Sequence, residues 1–115
     1  MPSTLIYHLC REEEWRAAGP AGCYRGSSQD LGDGFIHFST AAQIETSAAK
    51  HRAGQRGLVL VAVDPALLGD ALRWEASRDG ALFPHLYGVL ELAAVRWTRP
   101  LPLEADGRHL FPPLR

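Results

Sequence analysis

The apolar positions of this chain fall into short runs with the two-residue period of strands, interrupted early by two stretches with helical spacing. Residues 4–10, TLIYHLC, place Leu5, Tyr7 and Leu9 on one face and Ile6, His8 and Cys10 on the other, the alternation expected of a strand. Residues 11–18, REEEWRAA, combine good helix formers with acids in the first turn, where they complement the positive end of the helix dipole. Gly19 and Pro20 should end that helix. Residues 19–33 hold Gly19, Gly22, Gly26, Gly32 and the pair Ser27 and Ser28, and read as a loop.

GFIHFST, residues 34–40, is a second strand that runs into a helix. Thr40 is the expected N-cap, and Gln43 three residues on completes a capping box. The helix should continue to Arg52 with Ala41, Ile44 and Ala48 inward, and Gly54 and Gly57 stop it. GLVLVAVD, residues 57–64, is apolar on both faces and predicts a central strand. Pro65 and Gly69 bracket a turn. In ALRWE, residues 71–75, Leu72 and Trp74 alternate with Arg73 and Glu75. A polar loop leads to FPHLYG at 83–88, then VLELAAVRW at 89–97 forms one or two strands, and a Pro-rich tail spans 100–115. Roughly five or six short strands and two helices, the helices early and the strands late, predict one α+β domain over residues 1–115. No repeated strand–helix–strand units point to a doubly wound parallel sheet.

Composition narrows the function classes. Apolar residues make up 46% and charged residues 22%, with a formal charge of -1. Such a balance creates no long-range field for nucleic acid or an anionic membrane, so a small-molecule partner is expected. Lys50 is the only lysine among twelve basic residues; a GC-rich codon preference for Arg explains this more simply than phosphate recognition. Cys10 and Cys23 form no CxxC or metal spacing. The opening MPSTLIYHLC lacks a basic n-region, and no apolar stretch approaches the ~20 residues of a membrane span. A cytoplasmic protein with both thiols reduced is therefore expected.

Candidate chemistry concentrates on histidines. His8, His37 and His85 lie on or beside apolar strands, whereas His51 neighbours Lys50 and Arg52 at a helix end. A buried imidazole needs a hydrogen-bond partner, and one polar cleft shared with Glu75 would satisfy three at once. The opposing reading is three separate core histidines. Pro84 holds Phe83 extended and restricts the approach to His85, while Tyr87 and Gly88 complete the stretch; Phe83, Leu86 and Tyr87 equally suit a core plug. Three imidazoles and a carboxylate would suit a first-row metal, but HxH, HxxxH and HExxH pairs are absent, so no metal is expected. Ser39 lacks a nucleophile elbow.

Taken together, IYHL at 6–9, GFIHFST at 34–40 followed by Gln43, LRWE at 72–75 and FPHLYG at 83–88 resemble the family called domain of unknown function 952, over a core of about residues 4–100 in the same order. The resemblance implies a fold similar to the ADP-ribosyltransferase superfamily, which includes the tRNA 2'-phosphotransferases: two small, mostly antiparallel β-sheets with two helices, gripping NAD between them. It implies that His8 holds the ribose of the nicotinamide half. His37 stands where superfamily members present a nicotinamide-stacking tyrosine, with Ser39, Thr40 and Tyr87 as further contacts. Glu75 or His85 takes the third catalytic position, Glu75 as the carboxylate that stabilises a developing oxocarbenium charge. Arg25 and Arg73 are available to a pyrophosphate or as solubilising cations. Three functional readings follow: an ADP-ribosyl or phosphoryl transferase acting on NAD or an ADP-ribose-like or phosphorylated substrate, a non-catalytic nucleotide-binding module, and a metal-dependent hydrolase. The first requires Glu75 in the same cleft as His8 and His37, and the third requires at least three of these side chains to converge on one point.

Overall fold

A computed structural model describes residues 4–77 and 80–114. Its elements in order are β1 (Ile6–Arg11), α1 (Glu12–Arg16), α2 (Ala18–Ala21), β2 (Cys23–Tyr24), α3 (Ser28–Asp33), β3 (Ile36–His37), β4 (Ser39–Thr40), α4 (Ile44–His51), β5 (Leu58–Val63), β6 (Leu72–Ala76), β7 (Leu82–Leu86), β8 (Leu90–Glu91) and β9 (Val95–Leu101), with short 3-10 turns near residues 65–71 and 92–94. The fold is α+β with antiparallel pairing among all these strands. The described residues form a four-stranded sheet of order β4-β1-β5-β9, a three-stranded sheet of order β3-β7-β6 and a two-stranded β2-β8 pair. Expectation and structure differ here, since two sheets and two helices were predicted. The additional β2 and α3 come from the segment read as a loop, where two residues suffice for a strand pair and six for a helix.

The four-stranded sheet divides the interior. One face carries Ile6, Cys10, Val59, Val61 and Val63 into a cluster with Ile36 and Leu86 of the three-stranded sheet and with Phe38. The opposite face carries Tyr7, Leu9, Leu58, Leu60 and Ala62 against Ile44 and Ala48 of α4 and Leu101. This explains why β5 is apolar on both faces: it is buried along its whole length between two layers. It also fixes the direction of His8, which shares the Ile6 and Cys10 face and so points toward the three-stranded sheet.

Three local expectations are corrected. Pro20 lies inside α2, not after a helix; it occupies the first turn, where a missing N–H costs no intrahelical bond. Thr40 is a strand residue opposite Ile6, and Gln43 is the N-cap of α4. Half of the expected box survives, because the Thr40 N–H donates to Gln43 Oε1 at 3.0 Å. Trp74 is 47% exposed on the edge strand β6. The segment read as a tail joins the fold: Pro100 and Leu101 belong to β9, an edge strand that tolerates proline, Leu103 bridges His109, and buried His109 donates from Nε2 to the Gln55 carbonyl at 2.8 Å. Among the described residues no helix is long and apolar enough to cross a membrane.

Candidate functional site

GFIHFST forms the crossing between the two larger sheets. Ile36 and His37 pair with Leu86 and His85 of β7, while Ser39 and Thr40 pair with Tyr7 and Ile6 of β1. The change of sheet falls at Phe38, whose N–H donates to the Pro84 carbonyl at 3.0 Å. Strand alternation buries Ile36 and Phe38 at 1% and 2% exposure and leaves His37 at 34%. His37 therefore faces the cleft and its neighbours face the core.

His8 sits behind the crossing, buried, with both ring nitrogens engaged. Nδ1 lies 2.6 Å from the His37 carbonyl oxygen, and a carbonyl only accepts, so Nδ1 carries the proton. Nε2 accepts from the Tyr24 hydroxyl at 2.7 Å. Burial lowers the pKa of His8 against the opposing pull of Asp30 and the His37 carbonyl, which keeps this neutral tautomer. Burial likewise pushes the Tyr24 phenol far above its ordinary value, and the adjacent Cys10 thiol up to about 12.

Asp30, buried at 3% exposure, is the organiser that the loop reading missed. Its Oδ1 accepts from the His37 backbone N–H at 3.2 Å and from His37 Nδ1 at 2.6 Å, and its Oδ2 accepts from the Ser27 N–H at 2.7 Å. Burial opposes its charge, but the His37 ring, His8 and those two N–H groups outweigh burial and hold the carboxyl below its usual value. Ser27 Oγ returns a bond to the Asp30 N–H, so Ser27 and Asp30 form a capping box on α3. That serine-x-x-acid spacing is the signal in the sequence that marks them. Gly26 makes room: at φ +110°, a Cβ there would lie 2.6 Å from Asp30 Cβ.

The other ring nitrogen of His37, Nε2, meets Asp33 Oδ2 at 3.1 Å. Carboxylates only accept, so both contacts are satisfied together in the imidazolium form. Beside it, His85 is 14% exposed and its Nδ1 donates to Glu75 Oε1 at 2.8 Å. Tyr87 donates to the same oxygen at 2.7 Å, and these two donors, the phenol first, pull the Glu75 pKa down. Phe35 stacks on His85 with ring centroids 4.1 Å apart, and the two imidazoles meet edge-on at 5.5 Å. Among the described residues His85 Nε2 has no hydrogen-bond partner.

A cavity of about 270 Å³ opens between the sheets, with His8, Asp30, His37 and Ser39 on one side, Phe83 and His85 on the other and Arg52 from the end of α4. The Arg52 guanidinium donates to the Leu9 carbonyl and to Gln55 Oε1; no carboxylate among the described residues pairs with it. Ser77 Oγ, also on the wall, is buried without a hydrogen-bond partner among the described residues. A smaller polar groove of about 170 Å³ continues beyond Arg52 and His51, lined also by Arg11 and Ser28.

The structure thus brings His8, His37, His85 and Ser39 to one cavity, and Glu75 reaches it through His85. Tyr87 stands outside on Glu75, and Thr40 is engaged with Gln43. Arg73 lies over the Tyr87 ring, 5.3 Å from its centroid, and Arg25 is exposed; neither lines the cavity. Asp30, Tyr24, Arg52 and Ser77 are the additions. Among the described residues no group of three or more His, Cys, Asp and Glu side chains is placed to hold a metal ion.

Comparison with known proteins sets this geometry in context. The family model described as protein of unknown function, DUF952, matches residues 9–98. The crystal structure of protein CC0527 from Caulobacter crescentus is similar over 93% of this chain and 94% of that one, at 48% identity and a TM-score of 0.89. The solution NMR structure of the same protein covers 90% of each chain at 49% identity and a TM-score of 0.81. No curated protein gives a significant match.

Proposed function

The chain belongs to the DUF952 family of proteins of unknown function, and we propose that its cleft binds a phosphorylated ribosyl ligand and acts on it as an ADP-ribosyl or phosphoryl transferase of the NAD-using type. One observation carries this reading: a half-buried guanidinium with no carboxylate partner among the described residues shares a cavity with an orphaned serine hydroxyl and an open imidazole nitrogen. A buried polar group without a partner is costly, and an oxyanion with adjoining hydroxyls satisfies Arg52 and Ser77 together. The cavity falls just below the ~300–1,000 Å³ typical of small-molecule pockets, which suits the nicotinamide ribosyl half of NAD or one mononucleotide. The polar groove beyond Arg52 is positioned for the remainder of a dinucleotide.

NAD would supply the reactive ribosyl carbon, with nicotinamide leaving as the acceptor oxygen bonds to it. The protein supplies orientation and charge. His85, with Nδ1 donating to Glu75, presents Nε2 as the proton-accepting atom toward an acceptor hydroxyl or water. Glu75 stabilises the imidazolium that results. His37, held between Asp30 and Asp33, contributes a fixed imidazole edge, and Phe83 supplies aromatic surface for a planar ring. The antiparallel sheets facing each other across the cavity accord with the resemblance to the ADP-ribosyltransferase superfamily.

Calorimetric titration with NAD, ADP-ribose, nicotinamide mononucleotide and free nicotinamide tests the reading. Phosphorylated ribosyl compounds should bind and nicotinamide alone should not. Arg52→Met should weaken binding by about tenfold, ~1.4 kcal/mol. No binding by any of them at millimolar concentration, or binding indifferent to Arg52→Met, would remove the proposal. A second reading, a non-catalytic nucleotide-binding module, is favoured by the engagement of both His37 nitrogens and by the position of Glu75 behind His85. Tight binding with the ligand recovered intact after prolonged incubation with an acceptor would establish it instead.

A further inference from the structure

His8 is the residue that the superfamily resemblance casts as a direct ribose contact, and its surroundings argue for different work. We infer that His8 is a positioning residue, which acts on the cleft through the His37 backbone, its tautomer fixed by the His37 carbonyl and supported by Tyr24. The inference rests on the reading of the cleft as a ligand site only for its functional consequence; the geometry stands without it.

The case begins with atoms. His8 is 2% exposed and has two ring nitrogens, and both are committed. Nδ1–H is spent on the His37 carbonyl at 2.6 Å, and the Nε2 lone pair accepts from Tyr24 at 2.7 Å. A ligand at the cavity wall would meet only ring carbon. The partner of Nδ1 is the backbone of the residue that the fold must orient, at the place where the chain leaves one sheet for the other. On the far side, the His37 N–H donates to Asp30. The peptide groups flanking His37 are thus gripped from both directions, by a donor on β1 and an acceptor on α3.

Tyr24 completes the arrangement. The His37 carbonyl, which only accepts, puts the ring proton on Nδ1, and Nε2 is then left to take the Tyr24 hydroxyl hydrogen, which holds the neutral ring in that form. The phenol packs at 5.1 Å from Trp15 and 5.2 Å from the His8 ring, centroid to centroid, so its direction is set by aromatic contacts independent of the hydroxyl. Asp30 Oδ2 lies 3.4 Å from Nε2. A ring protonated on Nε2 would turn toward that carboxylate, and Tyr24 stands in the way by occupying Nε2 as a donor. The two β2 residues that sequence patterning left in a loop therefore matter because one of them completes the hydrogen bonding of a strand histidine 16 residues earlier.

The inference is tested with the whole chain in two steps. Long-range ¹H–¹⁵N NMR of the unliganded protein at neutral pH should show His8 protonated at Nδ1 and bare at Nε2, and Tyr24→Phe should disturb this pattern while the aromatic packing and fold persist. A wild-type spectrum with the proton on Nε2 would overturn the assignment. Next, His8→Asn and His8→Gln separate the two nitrogens, because the asparagine amide reproduces the Nδ1 donor position and glutamine reproduces Nε2. His8→Asn should keep the His37 amide and ring signals near their wild-type positions and hold ADP-ribose within about threefold of the wild-type affinity, whereas His8→Gln should shift those signals and weaken binding tenfold or more. The reverse ranking, or equal loss in both, would contradict positioning through the backbone. The first step needs no ligand, so a wrong ligand class leaves the positioning claim testable, and a wrong tautomer leaves the ligand class untouched.

Discussion

Two imidazole–carboxylate pairs stand side by side on the three-stranded sheet, one of Asp30 with His37 and one of Glu75 with His85. The donor–acceptor chemistry is the same and the rings are 5.5 Å apart, yet Asp30 is 3% exposed while the Glu75 side chain is 38% exposed. A buried carboxylate must be satisfied by the fold itself, and Asp30 receives N–H groups from Ser27 and His37 together with the ring. An exposed one exchanges partners with water at little cost, and Glu75 is free to respond when His85 gains or loses a proton. Burial therefore separates an anchor from a working group. The inner pair holds the crossing strand, and the outer pair places His85 on the cavity wall.

The largest expected effect is on the inner pair. Asp30→Ala strands three donors in a closed environment and should cost about 3–5 kcal/mol of stability in urea unfolding, the range for breaking a buried charged interaction. A loss no greater than that of Glu75→Ala would erase the distinction between the pairs. Gly26→Ala should follow, at about 2 kcal/mol or more, because it adds backbone strain at φ +110° and pushes a Cβ into Asp30. Its His37 amide signal should move with that of the Asp30 variant, and an unmoved signal would show that Gly26 serves the loop alone.

Acid should act on the same anchor. The folded pKa of His8 lies below the ordinary imidazole value of 6.5, so as pH falls past that value the unfolded chain takes up a proton that the folded ring refuses. Its contribution is complete above that range and is lost until the folded ring protonates. Asp30 is depressed below 3.8, so its contribution is present above that value and is lost as pH falls through the lower folded pKa. The groups facing His8 are Asp30, His37, Tyr24, Cys10 and Arg52, none of which reverses the direction. Urea midpoints should decline from neutral pH into the acid range, and Asp30→Asn should remove the most acidic part of the decline. A flat profile would contradict the assignment. The smallest effect is expected of Glu75→Gln: an unchanged urea midpoint with weakened ligand turnover. A clear stability loss would place Glu75 among the anchors.

How much of this was legible in the residues follows from the range of the interactions involved. The apolar run of β5, the alternation of β1 and the histidines of GFIHFST and FPHLYG carry local periodicity, and it identifies the strands and the exposed-versus-core question at His37. Asp30 and Tyr24 were passed over because glycine density in residues 19–33 outweighed the local signal of Ser27 and Asp30, and because the value of Tyr24 lies in a contact with β1. The exposure of Trp74 was illegible for a related reason: alternation gives the two faces of a strand, and only the sheet order shows that β6 is an edge. The pairing of Leu103 with His109 and the bond from His109 to Gln55 are equally nonlocal, so prolines dominated the reading of that segment.

The central claim is that the cavity between the sheets receives a phosphorylated ribosyl ligand at Arg52, Ser77 and His85. A ¹H–¹⁵N NMR titration of the protein with ADP-ribose tests it most directly. Saturable shifts centred on the amides of Arg52, Ser77 and His85, spreading to His37 and abolished by Arg52→Met, are the predicted result. No shifts at millimolar ligand, or shifts confined to surfaces away from this cavity, would contradict the account.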